Sequence, residues 1–362
     1  MILLALLLAL TLAPDARATA GQASGTALSQ ESADSGAFVV RLGTDTLSLE
    51  RYTRRANRIE AVAVGRSPRT VISHLVMTLG PDGSIATVAA GRGGQTLGER
   101  APAVAGTIPL VGGFWLPWEL ALRRAQAADR DSTVVNLLAG GNARPTTFRR
   151  TGPGRFTFLN QFDQVLHARI DSRGRLLSLE IEGGGSTVER VAWLDVDAMA
   201  RTFAARDSAG RGLGPLSPRD TTMADVHGAR IALAYGRPSL RGRSLDVLVP
   251  PGQVWRAGSN DASTITTDRP LQFQGFTLAP GSYSTFVLAE AGKWTLILNR
   301  QTGMSGLERD PAQDLARIPM QTRTNAAGTE KFTIEAVAKG DGGSLVFRWG
   351  TVEAVAGFRV AQ

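Results

Sequence analysis

The sequence predicts a mainly β protein in two parts, an N-terminal curved antiparallel sheet with one helical insert and a C-terminal antiparallel β-sandwich. Apolar and polar residues alternate over short runs such as FVVRL, TLSLERYT and RIEAVAVG, the period of strands half-buried on one face. Gly, Pro and Asn punctuate these runs at short intervals, as hairpins require. Convincing helical composition is confined to one place in the first half, which disfavours the βαβ alternation of a parallel nucleotide-binding sheet.

The chain opens on MILLALLLALTLA, an apolar run too short to span a bilayer with margin, followed by Ala18-Thr19-Ala20. Together they read as a signal peptide over residues 1–20, with an uncleaved membrane anchor as the alternative. Cleavage leaves no transmembrane segment and places the protein in a bacterial periplasm or outside the cell. A flexible N-terminus is expected over 21–37. Strands follow from Phe38, with Pro81-Asp82-Gly83 as a turn in which Pro presets φ and Gly accepts the left-handed position. Residues 117–128 are the helix, with Pro117 suited to its first turn and Glu119 placed near the positive end of its dipole. Strands resume through TVVNLLAG, RFTFLNQ, VLHARID and LLSLEIE, and a short helix is expected after Asp195. The first domain therefore covers 38–206. DSAGRGLGPLSPRDTT, residues 207–222, is a linker by its Gly, Pro and Ser density. Residues 223–362 return to many short strands, the pattern of a β-sandwich, interrupted by a helical or irregular excursion over 304–316.

Composition excludes several function classes. Of 40 basic residues only Lys293, Lys331 and Lys339 are lysines, and the excess of basic over acidic groups is spread over both halves. A nucleic-acid partner requires a clustered basic stripe with interleaved aromatics, and none is present. With no Cys there is no disulfide, thiolate metal site or lipid-modified cysteine anchor. No cofactor or metal is expected. His74, His167 and His227 are far apart and lack metal spacing, and His74 and His167 read as satisfied or surface residues in strands. No G-x-S-x-G, H-E-x-x-H or P-loop pattern occurs, and Gly210-Arg-Gly-Leu-Gly214 is linker, not a dinucleotide loop.

One succession of residues is specific. Ala234-Tyr-Gly-Arg-Pro238, Gly242-Arg243, Leu248-Val-Pro-Pro-Gly-Gln-Val-Trp-Arg-Ala-Gly-Ser-Asn260, Leu278-Ala-Pro-Gly-Ser-Tyr-Ser284 and Trp294-Thr-Leu-Ile-Leu-Asn299 resemble the bacterial family known as domain of unknown function 2911. The resemblance covers about residues 224–362. It implies a β-sandwich domain of exported proteins and no mechanism. The first 200 residues are loosely similar to the half-barrels of lipoprotein carriers, an analogy of shape alone.

Within that succession, VWRAGSND (254–261) has two readings. As scaffold, Trp255 anchors a core with its indole N–H satisfied, Arg256 braces the loop, and Asn260 makes a turn. As a site, Tyr235, Arg237, Arg256, Asn260 and Tyr283 form one aromatic and polar surface for a carbohydrate or an anionic small molecule. The sequence favours a non-enzymatic binding module, leaning away from an enzyme and naming no catalytic residue. Two alternatives stay open. An apolar-ligand carrier would keep a cavity beside Trp115 and Trp118, although the segment FWLPWELALRRA also suits a plug against the sheet. A carbohydrate hydrolase would use a carboxylate pair such as Glu180 and Glu182, for which cross-strand ion pairing with Arg169, Arg173 or Arg175 is the competing use.

Overall fold

The structure, a computed structural model, describes residues 34–96, 98–290 and 292–361. The expected signal peptide, 1–20, and most of the expected flexible N-terminus lie outside the described residues. Residues 34–37 of that stretch are not a tail. They open the first strand, where Asp34 to Ala37 pair with Arg54 to Arg51.

The first part is a sheet of 13 strands. β1 (Asp34–Leu42), β2 (Asp45–Arg55), β3 (Arg58–Gly65), β4 (Val71–Leu79), β5 (Ile85–Arg92) and the short β6 (Gln95–Thr96) form one meander. After β7 (Ile108–Pro109) and helix α1 (Leu116–Ala127), a second meander runs through β8 (Ser132–Ala139), β9 (Asn142–Gly152), β10 (Arg155–Leu159), β11 (Val165–Ile170), β12 (Leu176–Ile181) and β13 (Thr187–Val191). β13 pairs with β1, joining the meanders edge to edge, and β7 pairs in parallel with β8. Laid flat, 13 strands would extend about 55–60 Å at the usual strand spacing, while a helix is only about 10 Å wide. Yet α1 shares one core with Ile59, Met77 and Ile85 from one meander and Leu137, Phe156 and Leu179 from the other. The sheet must therefore curl around α1. Its opposite face carries α2 (Val196–Ser208), whose Val196, Ala200 and Phe203, at helical spacing, pack on Val39, Leu49 and Val64. Asp195 caps this helix by accepting from the Ala198 N–H at 2.9 Å.

The connector is shorter than the predicted linker. Residues 207 and 208 end α2, and residues 219–222 already belong to β14, leaving 209–218 between them. The second part contains β14 (Arg219–Val226), β15 (Ala229–Gly236), the single-turn α3 (Leu245–Leu248), β16 (Val254–Trp255), β17 (Ser263–Thr267), β18 (Leu271–Phe273), β19 (Phe276–Leu278), β20 (Gly281–Glu290), β21 (Lys293–Asn299), β22 (Asp314–Lys339) and β23 (Gly342–Val360). The excursion expected at 304–316 is a loop with a 3₁₀ turn at Pro311–Gln313.

The two layers of the sandwich are one continuous sheet folded over. β22 runs for 26 residues, with register shifts between Thr324 and Thr333 that bend it. The bent strand then meets the chain just after β15: Leu240 N–H donates to Glu330 O, and Phe332 N–H donates to Pro238 O. Phe332, Phe347, Trp349, Leu296 and Tyr235 fill the space enclosed.

Two turns join the parts. Gly43, at φ +58°, lies so close to Arg241 that an added Cβ would sit 1.8 Å from its carbonyl oxygen. Thr44 N–H donates to Arg241 O at 2.8 Å, and the Arg241 guanidinium pairs with Asp45. A second contact brings Gly184 of the β12–β13 turn against Val247 and Leu248, with Arg243 Nη1 donating to Gly184 O at 2.6 Å.

Candidate functional site

The chain after α3 turns at Pro250-Pro251-Gly252, with Gly252 at φ +78°, and enters β16, where Val254 and Trp255 pair with Leu288 and Val287 of β20. Trp255 is half-buried, stacks on Trp349 with ring centroids 5.2 Å apart, and meets Phe332 edge-on at 4.8 Å. The strand then breaks. Ala257 and Asn260 adopt φ of +46° and +65°, and Gly258 passes so close to the backbone of Gly236 that a side chain there would collide with Ser263. Ser263 Oγ donates to Ala257 O at 2.7 Å, and Gly306 N–H donates to Asn260 O at 2.9 Å, which fixes the loop.

This loop forms one wall of a cavity of about 750 Å³. Arg256, Asn260, Trp255 and Trp349 line it from the second part, and Ser67, Gln164 and the Gly183–Gly185 turn line it from the first. The stem of Arg256 packs beneath Gly306, where any side chain would strike its Cδ at 2.5 Å. Its guanidinium has no hydrogen-bond or ion-pair partner among the described residues, and its nitrogens still reach solvent. Burial alone pulls it below the usual arginine range, with no acid opposing the shift. An arginine bracing its own loop would be bonded to carbonyls, as Arg243 is bonded to Leu240 O, Ser239 O and Gly184 O. Asn260 makes the predicted turn, but its exposed side chain also lines the cavity.

The other three predicted contacts are elsewhere. Tyr235 is fully buried against Phe332, with ring centroids 5.8 Å apart, because it faces the folded interior of β15. It is a core residue and does not line the cavity. Arg237 is the brace that Arg256 is not: it pairs with Asp220 at 2.8 Å and donates to Phe332 O and Thr333 Oγ1 on β22, each at 3.2 Å. Tyr283 lies on β20 outside the cavity, and its hydroxyl donates to Ala279 O at 3.1 Å. Sequence reasoning missed Trp349 and the Gly183–Gly185 turn. The glycine run carried a legible signal, since an added Cβ at Gly184 would lie 2.6 Å from Val247.

The space beside Trp115 and Trp118 that an apolar-ligand carrier would need is filled by α1 itself, as the plug reading has it. Trp118 is buried and stacks on Phe158 with centroids 5.3 Å apart, and Leu116, Ala121, Leu122 and Ala125 are buried with it. Two buried glutamates hold this plug. Glu50 of β2 accepts the free N–H groups of Trp115 (2.5 Å) and Leu116 (3.1 Å), capping a helix whose own N-cap residue, Trp115, makes no side-chain cap. Glu119 accepts from Tyr52 Oη at 2.6 Å, Arg123 at 2.7 Å, the Leu176 N–H at 2.9 Å and Arg190. Glu119 is thus the centre of a buried network and not a solvated dipole partner. Burial raises the Glu50 carboxyl to about 8, outweighing the two helix N–H groups. The signal missed was a Glu in phase with inward-facing Tyr52 on an alternating strand.

The Glu180 and Glu182 reading also changes. Neither glutamate pairs with Arg169, Arg173 or Arg175 among the described residues: Arg175 pairs with Asp171 at 2.7 Å, and Glu182 lies 3.6 Å from His167 Nε2. Glu180 and Glu189 line a shallow groove of about 460 Å³ beside His167. Both are exposed, so neither occupies the apolar pocket that a glycosidase general acid requires.

Fold and site define a mainly β protein with a ligand-sized cavity between two sheets. Residues 217–358 match the model of a family described as protein of unknown function (DUF2911), so the matched region carries Arg256, Asn260 and both tryptophans of the cavity. The region before it matches no family model. No curated protein matches the chain.

Proposed function

We propose that this is an exported, non-enzymatic binding module of the cell envelope or exterior, taking a carbohydrate or an anionic small molecule in the cavity between its sheets. The observation that carries this reading is Arg256. Its half-buried guanidinium has no partner among the described residues and still reaches solvent, so an incoming anionic acceptor can form a charge-assisted hydrogen bond to it without breaking one within the protein. The cavity volume falls within the ~300–1,000 Å³ range of small-molecule sites, and stacked indoles beside neutral polar groups are typical of their walls. The apolar segment over residues 1–13 and the small residues at 18–20 support export.

The test is a panel of neutral and acidic mono- and disaccharides with small carboxylates, followed by tryptophan fluorescence and thermal shift. A hit should lose at least tenfold in affinity in Arg256→Ala, with the free variant still unfolding in one cooperative transition. A panel without hits, or hits indifferent to Arg256→Ala, overturns the reading. For export, N-terminal sequencing of the protein recovered outside the cytoplasm should begin at Gly21; retention in the cytoplasm overturns that part.

A further inference from the structure

We infer that the cavity takes a sugar bearing one carboxylate, a uronate, held by both sheets at once; this deepens the binding reading above and rests on it. Charge leads to this class first. The lining holds three charged residues, Arg243, Arg256 and Glu182. Arg243 is held in place by backbone carbonyls, its Nε, Nη1 and Nη2 donating to Leu240 O (2.9 Å), Gly184 O (2.6 Å) and Ser239 O (2.7 Å), and its charge is offset in the lining by Glu182. Among the described residues of the lining, Arg256 is left as the one cation without a hydrogen-bond or ion-pair partner, and the wall across from it contributes Glu182. A monoanion matches that balance. A phosphate monoester carries about 1.5–2 negative charges at neutral pH and would bring charge that nothing in the lining neutralises. The planar guanidinium fork also fits a carboxylate through two parallel hydrogen bonds.

The remaining lining selects the body of the ligand. Trp255, stacked on Trp349, offers an apolar surface, and Asn260 adds a neutral amide, while on the opposite wall Gln164 keeps its amide N–H groups after its Oε1 accepts from Asn160 Nδ2 at 2.9 Å. An apolar acid would make no use of the Asn260 amide, and a small aliphatic acid would leave the indoles uncovered. A polyhydroxylated ring with apolar C–H faces satisfies both. Because Gln164 and the Gly183–Gly185 turn belong to the first part and Arg256 and Asn260 to the second, the ligand ties the two sheets together.

The test is calorimetric titration of the full chain with D-glucuronate, D-glucose and D-glucose 6-phosphate at one ionic strength. Glucuronate is expected to bind at least tenfold more tightly than either control. Arg256→Gln should erase its advantage over glucose, and Arg256→Lys, which keeps the charge without the fork, should retain part of it. Glucose binding as tightly as glucuronate overturns the anion assignment while the cavity remains a binding site. Glucose 6-phosphate binding most tightly overturns the single-charge argument. No binding of glucuronate overturns the inference, whereas the broader reading falls only if the wider panel also fails.

Discussion

Replacing Glu50 with Gln should reverse its effect on stability between mildly acidic and mildly alkaline pH. The Glu50 carboxyl is inaccessible to solvent and receives two N–H groups from the first turn of α1. Its folded pKa is raised from 4.5 to about 8, chiefly by burial. The folded state therefore keeps a proton that the unfolded chain releases above pH 4.5. The stability contributed is complete below about 4.5 and is lost as pH rises towards 8. At about 1.4 kcal/mol per tenfold change in proton affinity, the loss is at most about 5 kcal/mol, and relaxation of the site will reduce it. Gln carries no charge but keeps one acceptor, and its amide nitrogen faces an N–H, a mismatch of about 1–2 kcal/mol at every pH. Glu50→Gln should thus be less stable than the parent at pH 5 and as stable or more stable at pH 8.5. Urea unfolding followed at pH 5, 7 and 8.5, using the transition of the first sheet, measures this. A stability difference that stays constant across these pH values, or one that moves further against the variant as pH rises, would show that Glu50 is ionised in the fold.

Glu119→Gln should cost about 3–5 kcal/mol in the same transition, because it leaves the buried guanidinium of Arg190 without its carboxylate; a loss below 1 kcal/mol would show the network to be dispensable. Trp118→Ala removes the largest side chain of the plug and should cost about 3–5 kcal/mol by unfolding, whereas a site designed to empty would tolerate it. Gly43→Ala places a methyl group 1.8 Å from Arg241 O at a left-handed φ, so the two turns must separate. Faster limited proteolysis within 209–218 is the expected readout, and an unchanged rate would mean that this contact does not hold the parts together.

The local half of this protein was readable without coordinates. Alternation identified the strands because each sheet buries one face, and the Pro and Gly turns marked where they reverse. The helix expected at 117–128 is found at Leu116–Ala127, since its composition favours helix before any packing is considered. Asn260 was readable as a left-handed turn for the same reason, as the preference belongs to the residue itself. Contacts across long stretches of chain were decided only by the tertiary structure. Period two could not show that β22 bends and brings one sheet back over itself, because the bend depends on register against β23. It follows that Tyr235 is inside, that Arg237 is bound to Asp220 and β22, and that Arg256, close by in sequence, has no partner among the described residues. Glu119 was readable only as a dipole partner and Glu50 carried no reading at all, since their partners Trp115, Leu176 and Arg190 lie 57 to 71 residues away. Residue type and spacing determine which element forms, but whether a polar side chain in that element is satisfied or free depends on what the rest of the chain places beside it.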